Sequence, residues 1–148
     1  MDDGSYDRSM TAAGAPALTE IDHVAIAVHD LDAAIAYYRD TFGCDVSHRE
    51  VVESDGVEEA LLKVADSYVQ LVMPVRDDSP VAKYLEKRGE GLHHVGYRVA
   101  DCGEALARVK AAGHRVIDEA PRPGSRGTTV AFVHPNEAFG TLIELVQE

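Results

Sequence analysis

The sequence carries two strand-like segments twice, and this duplication limits the possible folds more than any other feature. Ile21–Val28 is echoed by Leu92–Val99, at an offset of 92 − 21 = 71 positions. Tyr68–Leu71 is echoed by Leu142–Leu145, at an offset of 142 − 68 = 74 positions. Such an ordered duplication predicts two copies of one structural unit that stack to bury a shared core.

Four polar residues occupy matching places in the two copies. His23 aligns with His94, and Gln70 aligns with Glu144. Each lies in an otherwise apolar strand, where a buried polar group costs free energy unless it finds a partner. Two imidazoles, an amide oxygen and a carboxylate suit a divalent first-row metal, whereas structural zinc prefers Cys and His. The duplication therefore predicts a metal site to which each copy contributes one ligand from its first strand and one from its last.

His93 competes with its neighbour for the ligand role. The repeat aligns His94, and not His93, with His23. Because successive side chains of a strand point to opposite faces, we expect His93 to lie on the face away from the metal.

Hydrophobic periodicity gives each copy the element order βαβββ, which makes the fold class α+β. Asp30 can cap a helix whose apolar residues recur from Leu31 to Phe42, and Gly43 is the expected stop. The first copy is predicted to have strands at residues 21–28, 45–53, 57–64 and 67–73. The second copy is predicted to have strand 92–99, helix 101–112, a short strand near 115–117, a loop at 121–127 without helix or strand signals, and strands 128–133 and 141–147.

We expect a single domain over residues 19–148. Module 1 (about 19–75) and module 2 (about 91–148) would pair into a cupped sheet around the metal, joined by a linker helix at about 78–88. Residues 1–18 are small, polar and proline-containing, which predicts a disordered tail.

Composition excludes several classes of partner. The net charge of −12 argues against nucleic acid. No apolar run approaches the roughly 20 residues of a membrane-spanning helix, and the N-terminus lacks the pattern of a signal peptide. Two cysteines, Cys44 and Cys102, form no CxxC pair, which favours a reduced, cytoplasmic protein without a thiolate metal site.

From Ile21 to the C-terminus, the chain resembles the vicinal oxygen chelate superfamily. Within that superfamily it is most similar to the methylmalonyl-CoA epimerase family. The segments that carry the resemblance are Ile21–Val28, Asp77–Leu85, Gly91–Val95, Phe132–Pro135 and Gly140–Leu145. The first strand alone fits glyoxalase I or ring-cleaving dioxygenases equally well, whereas the ligand set together with the Asp-Ser-Pro linker is specific.

The resemblance implies a metal-dependent isomerase of propionyl-CoA metabolism. It would interconvert (2R)- and (2S)-methylmalonyl-CoA by removing and returning a proton at C2 through a metal-stabilised enolate. The resemblance also implies a homodimer. Cobalt(II) is the expected ion, with manganese(II) and nickel(II) as alternatives that tolerate six nitrogen and oxygen ligands.

Two glutamates are the expected acid/base residues. The family's catalytic glutamate falls on Glu59, while strand periodicity by itself does not distinguish Glu59 from Glu58. Glu144 is the second candidate, in addition to its expected role as a ligand, with water as the alternative. Arg126, in a glycine-containing loop, is expected to help hold the acyl group or the phosphates of coenzyme A.

Three other functions fit parts of the same pattern. A glyoxalase I-type isomerase uses a comparable proton transfer on a hemithioacetal. A ring-cleaving dioxygenase typically holds iron with two histidines and one carboxylate, which leaves Gln70 unexplained. A non-enzymatic small-molecule binder of the same fold need not keep four ligands.

Overall fold

A computed structural model describes residues 18–148. The expected disordered tail, residues 1–18, lies outside the described residues except for Leu18, which begins the first strand. The strands are β1 (Leu18–Ala27), β2 (Val46–Val52), β3 (Val57–Val64), β4 (Ser67–Pro74), β5 (Gly91–Val99), β6 (Arg122–Pro123), β7 (Thr129–Val133) and β8 (Ile143–Gln147). The helices are α1 (Leu31–Phe42), α2 (Pro80–Arg88) and α3 (Cys102–Ala111).

All eight strands form one mixed sheet in the order β2-β3-β4-β1-β5-β8-β7-β6. The first four are module 1 and the last four are module 2, so the two halves of the order mirror each other. β1 and β5 run antiparallel at the centre, and each has the last strand of its own module, β4 or β8, as a parallel neighbour. The sheet curls into a half-barrel, which confirms the predicted α+β class and the cupped pairing of the modules.

Local capping fixes where the helices begin. The side chain of Asp30 accepts a hydrogen bond from Ala33 N at the start of α1, and Asp101 accepts one from Glu104 N at the start of α3. Each contact satisfies one backbone N–H that the first helical turn leaves without a partner. Gly43 ends α1 at φ 65°, a left-handed conformation that glycine adopts without strain.

The helices bury their apolar stripes on three clusters of the sheet. Leu31 of α1 packs with Ala60, Leu62 and Leu71, whereas Leu106 of α3 packs with Leu145 and its neighbours. Helix α2, predicted as a linker, packs Val81 and Leu85 against strands of module 1. This packing holds the two modules' central strands at fixed positions around the hollow of the sheet.

Two local predictions in module 2 were wrong. The strand expected near residues 115–117 is reduced to an isolated bridge between Val116 and Val133. The pairing strand instead lies at Arg122–Pro123, inside the loop expected to lack structure, and it is followed by a 3-10 turn at Ser125–Gly127. Only two residues pair with β7 there, which is too short a segment for sequence periodicity to register.

Among residues 18–148, the longest helix has 12 residues, and no helix is long and apolar enough to cross a membrane.

Candidate metal centre and active site

A cavity of about 150 Å³ occupies the hollow of the sheet. Both modules line it: strands β1, β3 and β4 approach from one side and β5, β7 and β8 from the other. Pro80 and Val81 of α2 close one part of its wall. Its polar lining includes His23, Glu59, Gln70, His94, Arg122 and Glu144.

The four predicted ligands, here called the candidate metal centre, lie on the four central strands. His23 is on β1, Gln70 on β4, His94 on β5 and Glu144 on β8, and all four side chains are buried. The antiparallel register sets His23 opposite Gly96 and His94 opposite Ala25. Since glycine and alanine fill little space, each imidazole has room to turn into the cavity.

Three donor atoms converge within this centre. Glu144 Oε1 lies 2.8 Å from His23 Nε2 and 3.2 Å from His94 Nε2, and the two Nε2 atoms are 3.0 Å apart. Burial tends to raise the pKa of Glu144, but its contacts with both histidines outweigh burial and hold that pKa below its ordinary range. Glu144 is therefore an ionised carboxylate facing two imidazoles.

Gln70 completes the set. Its Nε2 donates a hydrogen bond to Glu59 Oε2, which directs the amide nitrogen toward β3. Its Oε1 is buried and has no hydrogen-bond partner among residues 18–148. A buried, unpaired amide oxygen is costly, and it is the atom that a metal would use.

Glu59 and Glu58 face different environments. Glu59 is 1% exposed and lines the cavity, whereas Glu58 is half-buried and accepts a hydrogen bond from Arg49 Nε at 2.9 Å. The pKa of Glu59 is raised, chiefly by burial, although Ser125 and Gln70 act in the opposite direction. The structure thus distinguishes two glutamates that strand periodicity could not separate.

The outer nitrogen of His23 is held by its neighbour in sequence. His23 Nδ1 donates to Asp22 Oδ2 at 2.7 Å, and Asp22 is fully buried. Burial tends to lower the pKa of His23, but the hydrogen bonds to Asp22 and Glu144 outweigh it and raise the pKa to about 9. For Asp22, burial tends to raise the pKa, but His23 and Arg98 outweigh it and lower the pKa to about 2.

His93 does not lie on the face opposite His94, contrary to the expectation from strand alternation. It lines the cavity, and its Nδ1 lies 2.8 Å from Nδ1 of His94, so the two rings share a hydrogen bond. The pairing register skips His93 between the pairs Ala25–His94 and Ile26–Leu92, which marks a β-bulge that interrupts the alternation. Burial lowers the pKa of His94, and it lowers that of His93 to about 4, so both rings are neutral near neutral pH.

Arg126 borders the cavity, but its guanidinium points to protein carboxylates. Arg126 Nη2 donates to Asp22 Oδ1 at 2.7 Å and to Glu148 Oε1 at 3.0 Å. The guanidinium also stacks on the ring of Tyr68, 4.7 Å from the centroid. Substrate binding by Arg126 stays a prediction, and it would have to compete with these contacts.

Sequence reasoning gave Arg122 no role of its own beyond its place in the candidate coenzyme A loop, and the structure places it in the cavity wall. Its Nε donates to Asp118 Oδ1 at 3.0 Å, its Nη1 lies 3.1 Å from Asp55 Oδ1, and it packs over the ring of Phe132. No periodic signal marks this residue, because it lies in the loop that was expected to lack structure.

Sequence reasoning also missed the role of Asp22 as the partner of His23. Its place directly before the ligand histidine, matching that of His93 before His94, was visible in the repeat.

The residues present fit a divalent metal. Two imidazole nitrogens and a carboxylate oxygen already face one another, and the unpaired Gln70 Oε1 borders the same cavity. Mixed nitrogen and oxygen donors of this kind favour a first-row transition metal.

Comparison with known proteins places the chain in a family. Residues 22–132 match the Glyoxalase/Bleomycin resistance protein/Dioxygenase superfamily. The chain is 40% identical over 129 residues to a protein of Cereibacter sphaeroides named ethylmalonyl-CoA/methylmalonyl-CoA epimerase, covering 86% of this chain and 96% of that protein.

Two solved structures agree with this placement. A variant of Streptomyces coelicolor methylmalonyl-CoA epimerase, in complex with 2-nitronate-propionyl-CoA, is 46% identical, with a TM-score of 0.87 over 89% of this chain and 99% of that one. A methylmalonyl-CoA epimerase in complex with methylmalonyl-CoA and NH4+ is also 46% identical, with a TM-score of 0.87 over 89% of this chain and 96% of that one. The chain therefore belongs to the methylmalonyl-CoA epimerase family, within the Glyoxalase/Bleomycin resistance protein/Dioxygenase superfamily.

Proposed function

We propose that the chain is a metal-dependent epimerase that interconverts (2R)- and (2S)-methylmalonyl-CoA. The observation that carries the proposal is that Glu59 and the four residues of the candidate metal centre line the same cavity. The family membership supports the substrate, because a solved relative holds methylmalonyl-CoA. Proton transfer at a carbon between a thioester and a carboxylate needs a base and a means of stabilising negative charge, and the cavity offers groups for both.

His23, Gln70, His94 and Glu144 are the proposed ligands. When bound there, a divalent metal supplies a Lewis acid that stabilises the negative charge developing on the thioester oxygen. The chain's own contribution is to present the donors from four adjacent strands, so that the centre is rigid before substrate arrives. The apolar walls, formed in part by Val57, Val72, Val81 and Phe132, limit the water that competes for the same site.

Glu59 is the proposed base. Its carboxylate is buried, and its Oε1 has no hydrogen-bond partner among residues 18–148, so one oxygen is free to accept the C2 proton. Gln70 Nε2 holds the other oxygen and fixes the carboxylate's orientation. The same group, once protonated, can return the proton in the reverse reaction.

Glu144 is the proposed acid/base on the second face of the substrate. Glu59 comes from β3 of module 1 and Glu144 from β8 of module 2, and both border the cavity. A substrate bound between the modules would have one carboxyl group on each side of C2. With Glu144 ionised and Glu59 protonated, transfer of the C2 proton to Glu144 and of the Glu59 proton to the opposite face inverts the carbon, and it leaves the two groups in the states that the reverse reaction needs.

Deuterium incorporation tests the proposed function. Incubation of the protein with methylmalonyl-CoA in D2O and cobalt(II) should place deuterium at C2 and interconvert the epimers. Removal of the metal with a chelator should abolish both, and added cobalt(II) should restore them. Absence of exchange in the cobalt-loaded protein would reject the epimerase function.

We also propose cobalt(II) as the preferred metal, with manganese(II) and nickel(II) as the comparison ions in the same assay.

A homodimer is proposed because large apolar side chains such as Ile21, Phe42 and Leu92 are exposed in the single chain. Light scattering would test for a particle of twice the 16.0 kDa chain. The cytoplasm is the proposed compartment, which the two free cysteines support.

A further inference from the structure

A β-bulge precedes each ligand histidine, and each bulge supplies a partner for that histidine. In β1 the register moves from Ile21–Tyr97 to His23–Gly96, which leaves Asp22 as the extra residue. In β5 it skips His93 in the same way. A bulge re-aims a side chain that regular alternation would send to the other face. The carboxylate of Asp22 thereby reaches His23 Nδ1 at 2.7 Å.

Two guanidinium groups hold Asp22 from the side away from the histidine. Arg98 donates to Asp22 Oδ1 through Nε at 3.0 Å and through Nη2 at 2.7 Å, and Arg126 Nη2 donates to the same oxygen at 2.7 Å. Asp22 thus has one oxygen on His23 and the other on two arginines. A fully buried carboxylate fastened on both oxygens has one orientation available to it.

We propose that Asp22 is a positioning residue of the metal centre and that Arg126 acts through Asp22 and not by contacting substrate. This inference rests on the proposed metal-dependent function. Because His23 Nδ1 donates to Asp22, Nε2 is the nitrogen that faces Glu144 and His94, and it would bind the metal in place of its proton. Partners of this kind fix the tautomer and the ring angle of a ligating histidine.

Arg126 also ties a cavity loop to this arrangement. The 3-10 turn Ser125–Gly127 is held at the backbone by Glu50, whose Oε1 accepts from Arg126 N at 2.6 Å. Arg126 has φ 45°, an uncommon conformation for a residue with a side chain, so the surrounding contacts must stabilise it. Arg126 therefore connects the turn that brings Ser125 to the cavity with Asp22, the carboxylate that holds His23.

Metal affinity tests the inference separately from turnover. Titration calorimetry of the metal-free protein with cobalt(II) chloride should show about 10- to 100-fold weaker binding for Asp22→Asn, in the range seen when such partners are removed. Arg126→Met should weaken cobalt(II) binding in the same direction and alter the visible absorption spectrum of the cobalt-loaded protein. At saturating cobalt(II), Arg126→Met should leave the KM for methylmalonyl-CoA unchanged.

Arg108→Met is the matched control, because Arg108 pairs with Glu104 on the surface of α3, outside the cavity. It should leave cobalt(II) affinity and the spectrum unchanged. Unaltered cobalt(II) affinity in Asp22→Asn would overturn the inference. Unaltered cobalt(II) affinity in Arg126→Met together with a raised KM would also overturn it, and would assign Arg126 to substrate binding. Absence of epimerisation by the unmodified, cobalt-loaded protein would reject the proposed function but leave these binding results intact.

Discussion

Gly96 and His23 approach each other so closely that position 96 has no room for a side chain. A Cβ at Gly96 would lie 2.3 Å from His23 Cε1 and 2.6 Å from Nδ1. The two residues are register partners on the central antiparallel strands. The absence of a side chain on β5 thus sets the position of a proposed metal ligand on β1.

Substitution of Gly96 by alanine should displace the His23 imidazole. Because contacts under 3.0 Å are not tolerated, either the ring or the central strands must shift. We expect Gly96→Ala to weaken cobalt(II) binding at least about tenfold, a loss of about 1.4 kcal/mol, measured by titration calorimetry. Gly103→Ala in α3 is the control, since its Cβ meets its nearest neighbour at 3.5 Å and alanine favours a helix. Equal metal affinity in the two variants would contradict the steric argument.

Glu59→Gln should lose epimerisation while keeping the fold and the metal. The amide cannot accept the C2 proton, and the expected fall in kcat is about 100- to 10,000-fold, the usual contribution of a positioned acid/base. Glu58→Gln is the matched control, because Glu58 pairs with Arg49 and does not line the cavity. Circular dichroism and metal content would check that both variants are intact.

Deuterium exchange by Glu59→Gln also separates one-base from two-base catalysis. If Glu144 serves the second face, the variant should still exchange the C2 proton of one epimer while failing to invert it. NMR of each pure epimer in D2O provides the measurement. Loss of exchange from both epimers would remove Glu144 from the acid/base role and leave it only as a proposed ligand.

Neutral replacement of Arg122 should weaken the binding of an anionic acyl-CoA. The guanidinium faces Asp55 and Asp118 in a cavity that also contains Glu59 and Glu144. Arg122→Met would leave these carboxylates with less compensation and repel a negatively charged substrate. We expect the KM for methylmalonyl-CoA to rise about tenfold, equivalent to about 1.4 kcal/mol, and Arg122→Lys to retain part of the affinity. An unchanged KM in Arg122→Met would show that the cavity's charge does not control binding.

Glu137 should contribute to stability against acid. The backbone N–H of Arg115, its guanidinium and His114 bind the carboxylate and lower its pKa from 4.5 to about 2. Because the pKa is lower in the folded state, the stabilisation is fully present above pH 4.5 and is lost as the pH falls through about 2. Glu137→Gln should therefore reduce stability at neutral pH and flatten its decline between these limits. Urea denaturation across that range would measure the difference, and parallel curves for the two proteins would contradict the prediction.

The sequence by itself determined the architecture and identified the candidate ligands. Duplication at offsets of 71 and 74 residues predicted two modules, because a repeated pattern of apolar residues folds in the same way each time. The same alignment selected His94 over His93 and matched Gln70 with Glu144. Capping by Asp30 and Asp101 was also readable, since caps depend on residues a few positions apart.

The tertiary structure decided which side chains reach the cavity and which partners hold them. The prediction from strand alternation put His93 on the wrong face, because a bulge is a property of two paired strands and not of one sequence segment. The same limit concealed the separation of Glu59 from Glu58 and the contact between Arg126 and Asp22, residues 104 positions apart. Periodicity records local geometry, whereas the environment of the proposed base and the support of the proposed ligands arise only when distant strands and loops meet.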